Sequence, residues 1–358
     1  MYSEIGSDFW EYTCDCSSNK SLPFSWYRAE NSVQFFKSGR NAIKALCQNI
    51  DTTNKTVLLP IYTCETVIEP FVDEGWTLFF YRLKRNLSVD IESLKELVEK
   101  ERPSAILYHH YFGFQTFDAK DLLKEYAKKG IVIVEDLTQI LLSEECCDTA
   151  DYYVTSFRKF FAIPDGGALI SRNPLKNVTV NPADINIAET AIEAFSMKSE
   201  YFSEMNAEKK LRFREKYRVL HTMISQNSML AEMNDISMNI LHSVDYDIIC
   251  EKRRSNYMWL CEKLKSIEGI EPVISKPVDD NTPLYFPVYV EDREKFQKYL
   301  ASKNIYCPVV WPKPKQIAEM DEDTLYMYGH MICIPIDQRY GIEEMNVVIK
   351  TIREYLSF

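Results

Sequence analysis

The stretch DAKDLLKEYAKKGIVIVED, residues 118–136, joins an amphipathic segment to a short apolar run. Its first part alternates apolar and charged residues in the manner of a surface helix, and Gly130 follows as a residue that typically ends one. The run IVIVED (131–136) is rich in β-branched residues, which is typical of a strand buried in a parallel sheet. A helix followed at once by such a strand indicates an α/β fold.

The same alternation extends along the chain from about residue 35 to 172. Further strands are predicted at 56–60, 77–83, 105–111, 152–157 and 167–172, and further helices at 40–50, 64–75 and 90–101, the last beginning at Asp90. Repetition of this kind predicts an α/β layer with a mostly parallel sheet. We therefore expect a large α/β domain over 1–245, with an N-terminal segment free to pack elsewhere.

The rest of the chain has a different pattern. Few turn residues occur over 183–245, which predicts helices leading out of the large domain, and 248–267 reads as one long helix. Strands predicted at 284–290, 305–311 and 331–336 then alternate with helices at 292–304 and at the end of the chain. This pattern predicts a smaller α+β domain over 246–358.

Composition excludes several classes of function. The net charge of −11 argues against general affinity for nucleic acid or anionic membranes, because such binding needs Lys and Arg to neutralise phosphates. No apolar run approaches the ~20 residues of a membrane helix, and the start of the sequence lacks the features of a signal peptide. We therefore expect a cytoplasmic protein.

The ten cysteines do not form a metal-binding pattern. No Cys-x-x-Cys pair occurs, and the spacings of Cys14 with Cys16 and of Cys146 with Cys147 are wrong for zinc. We expect most of them to be small buried residues in a reducing compartment, and we expect no metal site.

Reactive side chains follow the predicted strands. In an open parallel sheet, ligands bind beyond the carboxyl ends of the strands. The residues found there are Tyr62, Thr63, Cys64, His109, His110, Asp136, Gln139, Ser156 and Lys159. Ser38 and Gly39 precede the helix at 40–50. An amine, a carboxylate, hydroxyls and a helix N-terminus together match what pyridoxal phosphate requires.

Each group has a chemical role and a structural alternative. Lys159 lies between aromatic residues in TSFRKFFAIPDGG (155–167), which favours a partly desolvated amine able to attack the cofactor's aldehyde. Alternatively, it extends to solvent from an apolar wall. Asp136 can pair with the ring nitrogen, or it can cap the next helix. The amides after Gly39 and the Ser156 hydroxyl can bind the phosphate, although Ser-Gly also begins helices without a ligand.

The motifs SGRNAIKAL, LLPIYTCETVIEP, YHHYFGF, VIVEDLTQ and SFRKFFAIPDGG resemble, in order, those of the DegT-type sugar aminotransferases. These enzymes depend on pyridoxal phosphate and have fold type I, which implies a seven-stranded main sheet. The resemblance covers residues 32–172 and continues more loosely through RRSNY (253–257) and CIPIDQRYG (333–341).

The resemblance implies a role for each matched residue. Lys159 corresponds to the lysine that binds the cofactor and carries the proton, Asp136 to the partner of the ring nitrogen, and Gln139 to the glutamine near the ring's 3-hydroxyl. Phosphate contacts fall on or beside Ser38, Gly39, Arg40 and Ser156, and the family's strand-end histidine corresponds to His110. Being adjacent on a strand, His109 and His110 point to opposite faces, so that only one can face the site. The resemblance also implies a homodimer with active sites at the subunit interface.

Two departures concern the cofactor ring and the interface. Cys64 stands where the family often has the aromatic residue that stacks on the ring, so Tyr62, His110 or a residue elsewhere is expected to replace it. The family's segment that reaches the partner subunit has only a weak counterpart in AEMNDIS (231–237). For the substrate, we expect contacts from Trp311 and from Arg339, whose guanidinium could bind a donor carboxylate or simply lie at the surface.

The function predicted from these residues is transfer of an amino group from an amino acid, with glutamate as the expected donor, to a keto sugar or similar small acceptor. A nucleotide sugar is one candidate acceptor, and sugar or polysaccharide biosynthesis is the expected context. Another pyridoxal phosphate reaction, such as elimination, is one alternative. A non-catalytic or regulatory protein of the same fold is the other.

Overall fold

The structure is a computed structural model that describes residues 4–10, 21–143, 149–176, 178–226, 229–274, 278 and 280–357. Cys14, Cys16, Cys146 and Cys147, considered above as zinc ligands, lie outside the described residues. The strands are β1 (Ile5–Gly6), β2 (Ser32–Phe36), β3 (Thr56–Pro60), β4 (Thr77–Tyr81), β5 (Ala105–His109), β6 (Val132–Asp136), β7 (Tyr152–Ser156), β8 (Gly167–Ser171), β9 (Glu271–Pro272), β10 (Phe286–Tyr289), β11 (Ile305–Tyr306) and β12 (Met331–Ile334). The helices are α1 (Gly39–Asn49), α2 (Glu65–Asp73), α3 (Ile91–Glu101), α4 (Lys120–Lys128), α5 (Ile185–Glu204), α6 (Ala207–Ser225), α7 (Asp235–Ser243), α8 (Tyr246–Leu264), α9 (Arg293–Ser302), α10 (Glu322–His330) and α11 (Ile342–Leu356).

The main sheet has seven strands in the order β2-β8-β7-β6-β5-β3-β4. Strands β3 to β7 run parallel to one another, whereas β8 is antiparallel to β7 and β2 is antiparallel to β8. The predicted α/β fold with a mostly parallel seven-stranded sheet is therefore confirmed. Strand β2, at one edge of the sheet, was not among the predicted strands.

Apolar side chains on both faces of this sheet explain why its strands read as continuous apolar runs. Successive residues of a strand point to opposite faces, so Val57 and Leu59 belong to one core and Leu58 to the other. The first core includes Leu46 of α1 and Ile68 of α2. The second includes Leu94 of α3 and Leu123 of α4. Helices thus cover both faces of the sheet, as the βαβ connections require.

The C-terminal elements form a smaller antiparallel sheet, in which β10 lies between β9 and β12. The strand predicted at 305–311 is restricted to β11, which pairs in parallel with β1 near the N-terminus. The predicted division of the chain between residues 245 and 246 stays a prediction. Within the described parts of the chain, no helix is both long and apolar enough to cross a membrane.

Helices α5 and α6 pack against each other around an apolar cluster of their own. Phe195 of α5 and Tyr217 of α6 belong to this cluster, and so does Trp10 from the N-terminal segment. The helix pair therefore binds the beginning of the chain, which the sequence pattern had left unassigned.

Candidate active site

A cavity of about 630 Å³ lies at the carboxyl ends of the parallel strands. Side chains that follow β5, β6 and β7 form one wall, among them His109, Asp136, Gln139, Ser156 and Lys159. The N-terminal segment 6–9, one side of α6 and the loop that follows β12 also border the cavity. The residues that the sequence placed at the strand ends therefore border one common space.

Lys159 is the last residue of a single 3₁₀ turn that follows β7. Its side chain is exposed and borders the cavity, whereas Phe157, Phe160 and Phe161 are buried. The expectation that these rings desolvate the amine is therefore wrong, because they pack into the core while the lysine leaves it. No described residue forms a hydrogen bond or ion pair with Nζ of Lys159.

Asp136 ends β6 as a buried carboxylate with partners on both oxygens. Nδ1 of His109 lies 3.2 Å from Oδ2, and the backbone N–H of Thr138 donates to Oδ1 at 2.8 Å. Burial raises the pKa of Asp136, but the hydrogen bonds from His109 and Thr138 outweigh it, so that the pKa lies below its usual value. The carboxylate is therefore ionised at neutral pH.

The two adjacent histidines have different partners. Nε2 of His109 lies 2.7 Å from Oγ1 of Thr63, on the side of the ring away from Asp136. Nε2 of His110 instead lies 3.3 Å from Oε1 of Glu135. The expectation that only one of them can face the site is wrong, because both histidines border the cavity. His109 is the one that contacts Asp136. Sequence reasoning assigned a role to His110 only; the pairing of His109 with Asp136 follows from the register of β5 and β6.

Gln139 presents an amide to the cavity whose two ends differ. Its Oε1 accepts a hydrogen bond from the backbone N–H of Phe112 at 2.7 Å. Its Nε2 is buried and has no partner among the described residues. Because a buried donor without an acceptor is costly, this amide is suited to a ligand oxygen at the same place.

The N-terminus of α1 supplies donors on the same wall. Oγ of Ser38 accepts the N–H of Asn41 at 3.2 Å, so this serine caps the helix, as the structural alternative proposed. The N–H groups of Gly39 and Arg40 belong to the first turn and have no acceptor within the helix. Oγ1 of Thr155, also at the cavity, is buried without a partner among the described residues. With Ser156 beside them, these groups form a cradle suited to an anion.

Two glycines allow the segments of this cradle to approach one another. A Cβ atom at Gly167 would lie 2.4 Å from the backbone nitrogen of Gly39 and 2.4 Å from the carbonyl carbon of Ser38. A Cβ atom at Gly39 would lie 3.1 Å from Cβ of Ser156. Residues 38–39, 155–156 and 166–167 can therefore meet only because side chains are missing at these two positions.

Arg40 borders the cavity but binds other protein groups, whereas Tyr62 does not border it. The guanidinium of Arg40 pairs with Glu69 at 3.0 Å and donates to the carbonyl oxygen of Ser225 at 3.2 Å. Tyr62 is fully buried, outside the residues that border the cavity, and its hydroxyl donates to the carbonyl oxygen of Val310. Stacking of Tyr62 on the cofactor ring stays a prediction.

Trp311 is an aromatic residue of the C-terminal part that borders the cavity. Its ring centroid lies 5.9 Å from that of His109 and 5.8 Å from that of Tyr62. Cys64 borders the cavity as well, at the N-terminus of α2.

Arg339 borders the cavity but its guanidinium is already engaged. Nε and Nη2 bind the carboxylate of Asp337 at 2.7 and 2.9 Å, and both residues are buried. Nη1 donates to the carbonyl oxygen of Asp8 at 3.0 Å and Nη2 to that of Ser7 at 3.1 Å. Four of the five N–H donors of the guanidinium are therefore used within the protein. In this arrangement Arg339 holds the N-terminal segment against the cavity. It has no pair of N–H donors left to bind a substrate carboxylate through both oxygens.

Sequence reasoning missed the part of the cavity wall that the N-terminal segment and α6 form. Gly6 and Asp8 of the N-terminal segment border it, as do Tyr217 and His221 of α6. The hydroxyl of Tyr217 donates to the carbonyl oxygen of Phe9 at 2.6 Å, and Nε2 of His221 lies 3.0 Å from Oδ1 of Asp8. These contacts join distant parts of the chain, and no local pattern signals them.

No protein-family model and no curated protein sequence matches this chain. Solved structures do match it over almost its whole length. NtdA from Bacillus subtilis with bound cofactor PMP has a TM-score of 0.67 at 15% identity, covering 91% of this chain and 73% of that one. PseC from Helicobacter pylori, an aminotransferase involved in the biosynthesis of pseudoaminic acid, has a TM-score of 0.66 at 14% identity, covering 100% and 99%.

The sugar aminotransferase CalS13 from Micromonospora echinospora has a TM-score of 0.62 at 16% identity, covering 90% of this chain and 87% of that one. Likeness at such low identity establishes the fold, and a fold hosts many activities. The chain therefore has the fold of these aminotransferases, and its activity has to be argued from its own site.

Proposed function

We propose that the protein is a pyridoxal-phosphate-dependent aminotransferase of the DegT type. It transfers an amino group from an amino acid, with glutamate as the expected donor, to a keto sugar or a similar small acceptor. The observation that carries this proposal is the shared cavity of Asp136 and Lys159, which follow the neighbouring strands β6 and β7. The sugar aminotransferase fold supports it.

The residues at the cavity fit this cofactor. The first-turn N–H groups of α1, with the hydroxyls of Thr155 and Ser156, suit a phosphate in a cradle that side chains at Gly39 and Gly167 would fill. The orphaned Nε2 of Gln139 suits an oxygen substituent on the ring. Asp136 suits the ring nitrogen, and Lys159 suits the aldehyde.

Bound pyridoxal phosphate supplies an electron sink that stabilises negative charge on the substrate carbon. Asp136, kept ionised by His109, favours a proton on the ring nitrogen, because a carboxylate stabilises a neighbouring cation. With the cofactor bound, the amine of Lys159 would hold the aldehyde and, once released, would serve as the base that takes and returns the proton of the substrate carbon. Its exposed side chain, without a partner among the described residues, is free to move between these two positions.

The proposal includes a cytoplasmic homodimer in which each active site lies at the subunit interface. In the structure, the N-terminal segment and α6 that border the cavity come from the same chain as Lys159. In a dimer, residues of the partner subunit would be added to this wall. Sedimentation of the purified protein, with and without cofactor, measures this association state.

Absorbance of the purified protein mixed with pyridoxal phosphate tests the proposal. A band near ~420 nm, the usual region for this cofactor bound to a lysine, should appear. Borohydride should abolish this band by reducing the imine and leave the cofactor permanently attached to the protein. Lys159→Ala should abolish the reduced adduct, whereas Lys298→Ala, a change at an exposed helix position, should retain it.

In a separate, unreduced sample, adding glutamate to the loaded wild-type protein should remove the band as the cofactor accepts the amino group. An adduct that persists in Lys159→Ala would show that another lysine binds the cofactor. A loaded protein that no common amino donor converts would contradict the aminotransferase activity and favour the non-catalytic alternative.

A further inference from the structure

Four arginines border the cavity, namely Arg40, Arg158, Arg253 and Arg339. Three of them bind protein acceptors, although Nε of Arg40 and Nη2 of Arg253 are buried without a partner among the described residues. Arg40 pairs with Glu69, and Arg339 with Asp337. Arg253 donates to Oε1 of Gln338 and to the carbonyl oxygen of Leu284, both at 2.9 Å. Arg158 alone has no hydrogen bond and no ion pair with any residue that the structure describes.

The carboxylates nearest to Arg158 have partners of their own. Asp8 and Asp165 both attract its guanidinium. However, Asp8 pairs with His221 at 3.0 Å, and Asp165 accepts from the hydroxyl of Ser237 at 2.5 Å and from the N–H of Asn234 at 3.2 Å. Neither carboxylate comes within ion-pair distance of Arg158. The cavity wall therefore carries a partly buried cation whose fork of donors is open.

Such a cation favours an oxyanion as ligand. Arg158 is half-buried, and no described protein group replaces the part of its hydration that burial removes. A carboxylate matches the spacing of its donors and can accept two parallel hydrogen bonds. The ligand that completes this site is therefore expected to bring a carboxylate or a phosphate.

We propose that Arg158 binds the α-carboxylate of the amino donor, an inference that rests on the proposed function. Arg158 immediately precedes Lys159 in the same 3₁₀ turn. The guanidinium and the reacting amine are therefore carried by adjacent residues. In an α-amino acid the carboxylate is attached to the carbon that exchanges its amino group, and it therefore lies close to that lysine. The proposed function assigns the cofactor's phosphate to the cradle at the N-terminus of α1. Arg158 thus takes the role that the sequence suggested for Arg339.

Two donors that differ only in this carboxylate test the inference. 4-Aminobutyrate is glutamate without its α-carboxylate, and the rate at which each donor converts the bound cofactor can be followed in single-turnover absorbance measurements. Wild type should prefer glutamate. Arg158→Gln should lose on the order of 10²-fold in kcat/KM for glutamate and little for 4-aminobutyrate, because a truncated charge pair affects only the ligand that made it.

A binding measurement provides a readout that does not depend on turnover. Calorimetry with 2-oxoglutarate, the keto acid corresponding to glutamate, should show weaker binding in Arg158→Gln by a similar factor. Arg158→Lys should recover part of this affinity, since it keeps the charge but loses the fork. Arg218→Gln, at an exposed position of α6, is the matched control and should behave as wild type.

The remaining outcomes are distinct. If Arg158→Gln keeps the wild-type preference for glutamate, the inference is overturned. If instead its affinity for pyridoxal phosphate falls while the preference for glutamate is retained, Arg158 is a phosphate ligand and the inference is equally overturned. If no amino acid converts the cofactor bound to the wild-type protein, the proposed function itself fails. This outcome is distinguishable from failure of the inference, because it is measured on wild type and not on a variant at position 158.

Discussion

The imidazole of His109 stands between Asp136 and Thr63, with Nδ1 3.2 Å from Oδ2 of Asp136 and Nε2 2.7 Å from Oγ1 of Thr63. A proton on Nδ1 allows the ring to donate to the carboxylate of Asp136. His109 and Asp136 are register partners on the parallel strands β5 and β6. The sheet itself therefore fixes the group that keeps the buried carboxylate ionised.

His109→Phe should weaken binding of pyridoxal phosphate and make it dependent on pH. Burial raises the pKa of Asp136, and the hydrogen bond from His109 is the first of the contacts that bring it below its usual value. Without that bond the pKa of Asp136 rises, so the variant should lose affinity for pyridoxal phosphate as the pH falls towards the new pKa. In wild type Asp136 stays ionised over the same range. A hydrogen bond to a charged group is worth about 1.5–3 kcal/mol, or roughly tenfold to a hundredfold in affinity.

Cofactor titrations between pH 5 and 8, followed by absorbance, measure this effect. His330→Phe is the control, because His330 stacks on Tyr326 and does not border the cavity. Its affinity profile should coincide with that of wild type. Parallel profiles for His109→Phe and wild type would show that His109 does not govern the charge of Asp136.

The strands of the main sheet were predictable because their burial on both faces leaves a continuous apolar run. The prediction at 56–60 matches β3 at both ends, and Asp136 ends β6 as expected. Strand β2 was missed because only its last residue, Phe36, is fully buried, so the segment lacks that signal. Parallel topology alone then brings the strand-end residues to one cavity.

The rest of the site depends on contacts that no local pattern encodes. The N-terminal segment reaches the cavity through Arg339, whose partners Ser7 and Asp8 lie at the other end of the chain. His109 and His110 can be told apart only through the register of β5 with β6. That register depends on how the strands pair over long separations.

Gly167→Ala should reduce affinity for the cofactor. A Cβ atom at this position would lie 2.4 Å from the backbone nitrogen of Gly39, closer than any real contact, so the segments of the anion cradle must separate. Backbone atoms on both sides cannot rotate away as a flexible side chain could. We expect affinity to fall by at least about tenfold, the equivalent of 1.4 kcal/mol, in calorimetric titration with pyridoxal phosphate.

Gly329→Ala is the matched control for this change. Gly329 lies within α10 with no heavy atom near its missing Cβ, so alanine meets no obstacle there. Because alanine favours helix over glycine, the free energy of unfolding of this variant, measured in urea, should be about 0.5–1 kcal/mol higher than that of wild type. Its affinity for the cofactor should be that of wild type. Wild-type cofactor affinity in Gly167→Ala would contradict the placement of the cradle.

The buried pair of Asp337 and Arg339 links the C-terminal part of the chain to its beginning. Burial raises the pKa of Asp337, but the charge of Arg339 and its hydrogen bonds outweigh this, so the pKa lies below its usual value. A carboxyl with a lowered pKa stabilises the fold above its unfolded pKa, and this contribution is lost as the pH falls through the folded pKa.

Asp337→Asn should lower the free energy of unfolding by about 3 kcal/mol at neutral pH, because it leaves the Arg339 charge buried without a counter-charge. The difference from wild type should be constant between pH 5 and 8 and should narrow below about pH 4, because the carboxyl of unfolded wild type then takes up a proton before that of the folded protein. Urea unfolding across this range measures both effects. Glu215→Gln, which removes an exposed ion pair with Arg218, should leave stability unchanged. Equal stability of Asp337→Asn and wild type at pH 7 would mean that the Arg339 guanidinium is held by Ser7 and Asp8 alone.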